Sequence, residues 1–176
     1  MNQAYADAFK MIHDDEGEQF VLLVVDSYGG YVDNLSILLS EIEASEKPVV
    51  TIAQGCAMSC GAVLAASGSP GLRYVSKFTN YMIHEASSFA FGRSSDVLND
   101  AKALQRTTDM LLAQFDKNAG KEIGFTANLL KENRNADLFL SAEEVVNYGF
   151  ADHIASRNQA FKRISKDFEQ YKKRKK

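Results

Sequence analysis

Val21 to Val25 reads VLLVV, an apolar run rich in β-branched residues and without polar alternation. That is the pattern of a strand buried on both faces of a sheet. DSYGG follows and signals a turn. Leu35, Leu38, Leu39 and Ile42 then recur at helical spacing, so Val32 to Ala44 is expected to be an amphipathic helix. Pro48 opens a second apolar run, VVTIA, which reads as another buried strand broken by Gly55. An Ala-rich helix is expected from there to about Ser67, where GSPG ends it, and YMIH (Tyr81 to His84) reads as a third strand. Ser95 is placed to cap a long helix reaching about Asn118, with Val97, Ala101, Leu104, Thr108, Leu111 and Phe115 along one face. Ser141 and Glu144 form an S-x-x-E capping box before a short helix stopped at Gly149. A last strand near Phe150 to Ile154 precedes a basic helical segment.

Strands that alternate with helices imply crossover connections, hence an α/β fold with a largely parallel sheet and helices on its faces. Working groups in such sheets gather at the carboxyl ends of the strands. SYGG, GCAMSCGA (Gly55 to Ala62) and His84 all fall there. No internal repeat or low-complexity stretch interrupts this plan, and 176 residues suit one domain with a real core. The expected division is a single domain over 1–155 and a basic tail, helical or disordered, over 156–176.

Composition adds little to that plan, with 45% hydrophobic and 24% charged residues and two prolines, as in a folded protein. Charge adds more. From Phe161 onward there are eight Lys or Arg against two Asp or Glu, so the tail carries +6 and the body −9 of the net −3. A solvated end is one reading of this; docking to an acidic partner or to nucleic acid is the other. The small net charge gives no global reason to expect nucleic acid or an anionic membrane as a partner. No apolar run approaches the roughly 18 residues needed to cross a bilayer, and MNQAYADAFKMIHDDEGE has neither the basic nor the apolar region of a secretion signal. Cys56 and Cys60, four apart, form neither a disulfide framework nor a CxxC motif. A cytoplasmic location is therefore expected.

The chemistry turns on Ser59, one hydroxyl among small residues where a strand turns into a helix. A serine attacks a carbonyl only when a base takes its proton and N–H donors meet the developing oxyanion. The free N–H groups of a helix's first turn and the unhindered backbone of SYGG could supply those donors. Ser59 could equally be a helix cap, and GCAMSCG is not the G-x-S-x-G elbow, because Ala57 stands two before the serine. His84 could be the base or a structural histidine, and the residues alone do not name a third partner. His13 lies in HDDEGE and His153 beside Asp152, and no two histidines are spaced as metal ligands. Neither a P-loop nor a G-x-G-x-x-G is present, so no cofactor is expected and any ATP would be used by another protein.

Taken together, four segments resemble one family. SYGG is similar to the S-P-G-G of the Clp protease proteolytic subunit (ClpP) family, serine peptidases of the ClpP/crotonase-like fold. GCAMSCGA resembles that family's G-x-A-A-S-M-G-A and MIHEAS its M-I-H-Q-P. NADLFLSAEEVVNYGFADHI resembles R-D-x-F-[ML]-S-A-x-E-A-x-x-Y-G-L-x-D-x-I. They stand in the family's order and, with what lies between, span about Ala4 to Ile154.

The resemblance implies repeated β-β-α units with a protruding long helix, the handle through which two seven-subunit rings stack into a closed chamber. Ser59 would be the nucleophile, His84 the general base, and Asp137 the residue that orients the imidazole and stabilises the imidazolium. The backbone N–H groups of Gly30 and Cys60 would form the oxyanion hole. Phe89 and Phe91 would lie where the family's substrate-lining strand begins. Substrates would be short peptides or unfolded chains threaded by an ATP-driven (AAA+) unfoldase, with no role for nucleic acid or membrane.

Several positions depart from the family pattern. Tyr28 replaces a proline, Cys60 a methionine, and SSFAF a glycine-rich handle stretch. The chain starts near the family's first core helix, leaving the axial loop and first strands without a counterpart, which implies a shortened, phage-type member or a partial chain. The alternatives on the same fold are a phage capsid-maturation or signal-peptide-peptidase-like protease and a catalytically idle ring scaffold subunit. The second protease type would be expected to use Lys as base. A crotonase-type acyl-CoA enzyme is a further alternative, and it would not need a serine beside a histidine-bearing strand.

Overall fold

The computed structural model describes residues 19–174; His13 and the segment matched to the family's first core helix lie outside them. In chain order the elements are β1 (Val21–Ser27), α1 (Val32–Ala44), β2 (Val49–Met58), α2 (Cys60–Ala66), β3 (Arg73–Val75) and β4 (Asn80–Ile83). Next come α3 (Ser94–Ala119), α4 (Phe125–Glu132), β5 (Leu138–Leu140), α5 (Ala142–Tyr148), β6 (His153–Ile154) and α6 (Arg157–Arg174). The result is an α/β fold with a mostly parallel sheet and a long helix leaving the body.

The sheet is organised by β2. One edge of β2 pairs in parallel with β1, Val21 opposite Val49 through Val25 opposite Ala53. The other edge is shared, because Thr51, Ile52 and Ala53 pair with β3 whereas Cys56, Ala57 and Met58 pair with β4. The hand-over falls at a bulge, where Asp26 alone faces Gln54, Gly55 and Cys56. Gly55 sits there at φ 61, and a side chain on it would strike the Asp26 carboxylate. That carboxylate accepts the Cys56 N–H at 2.9 Å, a bond that fixes the bulge. Gly55 therefore bends the strand and does not end it, a correction to the reading from sequence. β6 extends the sheet in parallel beside β3, and β5 closes the other side antiparallel to β4.

Side chains of β2 alternate between the two faces. Thr51 points to α2 and donates its hydroxyl hydrogen to the Ala65 carbonyl at 2.7 Å. Ala53 and Ala57 join the larger core with Leu111, Leu112, Phe115, Leu130 and Phe150. Val50 and Ile52 point the other way, to Ala160, Ile164 and Phe168 of α6. The basic segment is thus a helix, one of the two forms expected for it, with its apolar face built into the fold. Its cations Lys162, Lys166, Lys172, Lys173 and Arg174 lie on the exposed face.

β1 is an edge strand among the described residues, with Val24 exposed, not a strand buried on both faces. Helix α3 starts at Ser94, one residue before the expected span, with Arg93 at the cap position, and the Ser95 hydroxyl bonds Asp96 and does not cap. The second half of α3 packs Thr108, Leu111, Leu112 and Phe115 into the core, whereas most of Ser94 to Arg106 is exposed and projects from the body. β3, α4 and β5 were not anticipated. Buried Asp116 fixes the start of α4 by accepting from Gly124 N–H (2.7 Å) and Thr126 N–H (2.8 Å). Both bonds of the Ser141–Glu144 capping box are present, and Gly149 ends α5 at φ 86.

Arg73 and Asp152 form a two-pronged ion pair at 3.0 and 2.7 Å, and Asp152 also accepts the N–H groups of Gly71 and Arg73. Burial alone would raise the Asp152 carboxyl; the Arg73 guanidinium overcomes it and holds the group below the usual carboxylate range. No helix among the described residues is long and apolar enough to cross a membrane.

Candidate active site

β2 ends at Met58 and α2 begins at Cys60, so Ser59 must turn the chain by itself. It does so at φ 53, ψ −124, a region L-residues seldom occupy. Its side chain makes no capping bond, so the helix-cap reading is set aside. The backbone is held on both sides. Ser59 N–H donates to the Met82 carbonyl at 2.9 Å, and the Ser59 carbonyl accepts from Ala62 and Val63 N–H. Two glycines make room. A side chain on Gly29 (φ 107) would lie 2.8 Å from Ser59 Cβ and 3.2 Å from its Oγ, and one on Gly61 would lie 2.8 Å from the Ser27 carbonyl oxygen.

The neighbours of Ser59 follow from strand register. β2 and β4 run parallel with Met58 opposite Met82, and the Ser59–Met82 bond continues that pairing. His84 follows two residues later. β4 and β5 run antiparallel with Ile83 opposite Leu138, so the next step of the register sets His84 opposite Asp137. The His84 Nδ1 to Asp137 Oδ1 distance is 3.7 Å, with the imidazole 25% and the carboxylate 57% exposed. Positive φ at Arg134 and Asn135 turns the chain into this position. Asn133 Nδ2 then donates to the Ala136 and Asp137 carbonyls, at 3.2 Å each.

Ser59, His84 and Gly30 line one cleft of about 110 Å³, floored by Val63, Leu104, Leu111 and other apolar residues. Gly30 lines this cleft, and Cys60, the residue after Ser59, opens α2. The Cys60 thiol, pushed up by burial and so kept protonated, donates to the Gly30 carbonyl at 3.2 Å. Gly29 N–H donates to Ser27 Oγ at 3.1 Å. Two larger hollows, of about 650 and 430 Å³, lie along α6 and contain none of these groups.

The sequence-derived residues Ser59, His84, Asp137, Gly30 and Cys60 therefore occupy one end of the sheet. Phe89 and Phe91 are each 89% exposed, in a segment after His84 that forms no strand within the chain. Ala86 N–H in that segment donates to Thr108 Oγ1 of α3 at 3.1 Å, a tether the sequence reading missed because Thr108 reads simply as part of an apolar helix face. His153 is away from the cleft. It packs on Tyr74, 3.5 Å from the Asp167 carboxylate and 3.3 Å from Arg163, and helps to seat α6. In comparison with known families, the model of the Clp protease family matches residues 3–158.

Proposed function

The chain belongs to the Clp protease family, and on that premise we propose that it is a serine endopeptidase working through Ser59, His84 and Asp137. The observation that carries this reading is the register across three neighbouring strands, which aligns Ser59, His84 and Asp137 at one end of the sheet. Nδ1 of His84 faces Asp137, which leaves Nε2 to take the proton from Ser59 Oγ as that oxygen attacks a peptide carbonyl. The negative charge that forms on the carbonyl oxygen is met by Gly30 N–H and Cys60 N–H. His84 then passes the proton to the departing amine, leaving an acyl-serine, and a water deprotonated by the same imidazole releases the acid. Asp137 opposes the positive charge of the imidazolium in both halves. At 3.7 Å it is beyond hydrogen-bond reach, and this contact tightens as substrate fills the cleft.

The same reading extends to assembly. Val97 and Leu98 on the projecting part of α3, with Phe89 and Phe91 before it, give an exposed apolar ridge suited to contact with other copies of the chain. Rings of such subunits, heptameric and stacked, would enclose the serines and admit short peptides or unfolded chains fed by a separate ATP-driven unfoldase. The chemistry uses protein groups alone.

Labelling with a fluorophosphonate serine probe tests the site. The wild-type chain is expected to react, and Ser59→Ala and His84→Ala are not. An assembled wild-type chain that takes no label would refute the peptidase reading. Sedimentation at micromolar concentration tests the chamber, and a monomer there would refute it.

A further inference from the structure

We propose that the Cys60 side chain, together with the Ser27 hydroxyl, is a positioning element that holds the oxyanion loop in its working orientation. The proposal rests on the serine peptidase reading and adds to it a role for side chains that never touch the substrate.

The loop Ser27 to Tyr31 contains two consecutive glycines, Gly29 at φ 107 and Gly30 at φ 154. Glycine pairs impose little barrier to rotation of the peptide between them, and that peptide carries the Gly30 N–H. Its rotation sets where that N–H points. The peptide units on either side are both fastened. Gly29 N–H, in the unit before, donates to Ser27 Oγ at 3.1 Å. The Gly30 carbonyl, in the unit after, accepts from Cys60 Sγ at 3.2 Å. The free peptide is thus bracketed by two tethers, which fix the peptide units and Cα positions on either side of it.

Three further observations favour this role. Cys60 is also the residue whose own N–H would be the second oxyanion donor, so one residue sets the spacing of both donors. The thiol is buried, which keeps it a proton donor and not a thiolate that would repel a carbonyl oxygen. Gly61, the next residue, packs without a side chain on the Ser27 carbonyl and so seats the helix start against the loop. The tether also explains how the loop keeps its shape with Tyr28 at its second position, where a proline would have fixed φ.

The test uses the full chain and a fluorogenic peptide, with active serines counted by fluorophosphonate titration. A peptide boronate, whose serine adduct is tetrahedral, reports on the oxyanion hole. Removal of a weak bond that orients a donor predicts that Cys60→Ala lowers kcat per active serine by roughly three- to tenfold. KM should stay within about twofold, and boronate affinity should fall by the same factor as kcat. Ser27→Ala is expected to give the same split through the other tether. Cys60→Ser, which can still donate, should recover most of the loss. Tyr28→Pro placed in the Cys60→Ala background should also recover activity by stiffening the loop.

Unchanged kcat and boronate affinity in both Cys60→Ala and Ser27→Ala would overturn the proposal while leaving the peptidase reading intact. So would a loss in Cys60→Ala that neither Cys60→Ser nor Tyr28→Pro relieves, since packing and not the tether would then be at stake. A wild-type chain without Ser59-dependent labelling would refute the underlying reading, and this proposal with it.

Discussion

Tyr81 donates its hydroxyl hydrogen to the Ala62 carbonyl at 2.9 Å, tying the strand that leads to His84 to the helix that starts behind Ser59. Tyr81 is fully buried, and burial pushes its hydroxyl far above the ordinary tyrosine range, so it remains a donor. Tyr81→Phe is expected to cost about 1 kcal/mol of stability through the lost bond, read as a shift in urea midpoint at constant m-value. Peptide hydrolysis should fall by more than the loss of folded protein accounts for, because the bond helps to space the proposed base, His84, from the proposed nucleophile, Ser59.

Gly29 tolerates no side chain at its distance from Ser59. Gly29→Ala should abolish fluorophosphonate labelling and cost about 1–3 kcal/mol from the left-handed backbone and the clash. An alanine variant that labels at the wild-type rate would contradict the close approach of this loop to the serine.

Ser59 stores strain, and its identity can be separated from its conformation. Both Ser59→Ala and Ser59→Gly remove the proposed nucleophile, but only glycine relieves the backbone at φ 53. The glycine variant is expected to be more stable than the alanine variant by about 1 kcal/mol, measured by thermal unfolding of the two inactive proteins. Equal stability would mean that the strand-to-helix turn is unstrained.

Asp152 links stability to pH. Its folded pKa lies below the unfolded value, so its contribution is fully present above the unfolded pKa of about 3.9 and is lost as pH falls through the folded one. Stability should therefore decline in acid below about pH 4. Asp152→Asn should flatten that part of the profile and cost about 3 kcal/mol at neutral pH by leaving Arg73 buried without its counter-charge. Urea unfolding of both proteins between pH 2 and pH 7, a range of about 5 units set by the carboxylate pKa, checks the sign.

Phe168 is buried in the face of α6 that covers Val50, Ile52, Leu72 and Tyr74. Phe168→Ala should destabilise the fold by about 3 kcal/mol, whereas Lys166→Ala on the exposed face should change stability by less than about 0.5 kcal/mol. Similar effects of the two substitutions would return α6 to the status of a loose tail.

What could be read from the sequence follows from range. The spacing of Leu35, Leu38, Leu39 and Ile42 marks α1 because a helix period is complete within four residues, and the Ser141–Glu144 box is equally local. β3 and β5 have three residues each, too few for any period to register. The start of α4 depends on Asp116, eight or more residues from the groups it caps. Ser59 and His84 could be singled out by residue type and position in the strand pattern. Asp137 could not, because only the antiparallel register of β4 with β5 brings it opposite a histidine more than fifty residues earlier. It entered through the family resemblance alone. The thiol bond from Cys60 to Gly30 had no signal, since it joins segments thirty residues apart through one side chain.

The bulge at Gly55 gives β2 two audiences. Before it, the strand serves β3 and, through Val50 and Ile52, the helix that closes the chain; after it, the strand serves β4 and Ser59. Between the two stretches lie the kinked Gly55 and its Asp26 bond, and the Thr51 hydroxyl on the Ala65 carbonyl ties the first stretch to α2 as well. One strand thus carries two sets of neighbours, β3 and α6 on one stretch and β4 on the other, and Gly55 is the residue that lets a single segment satisfy both.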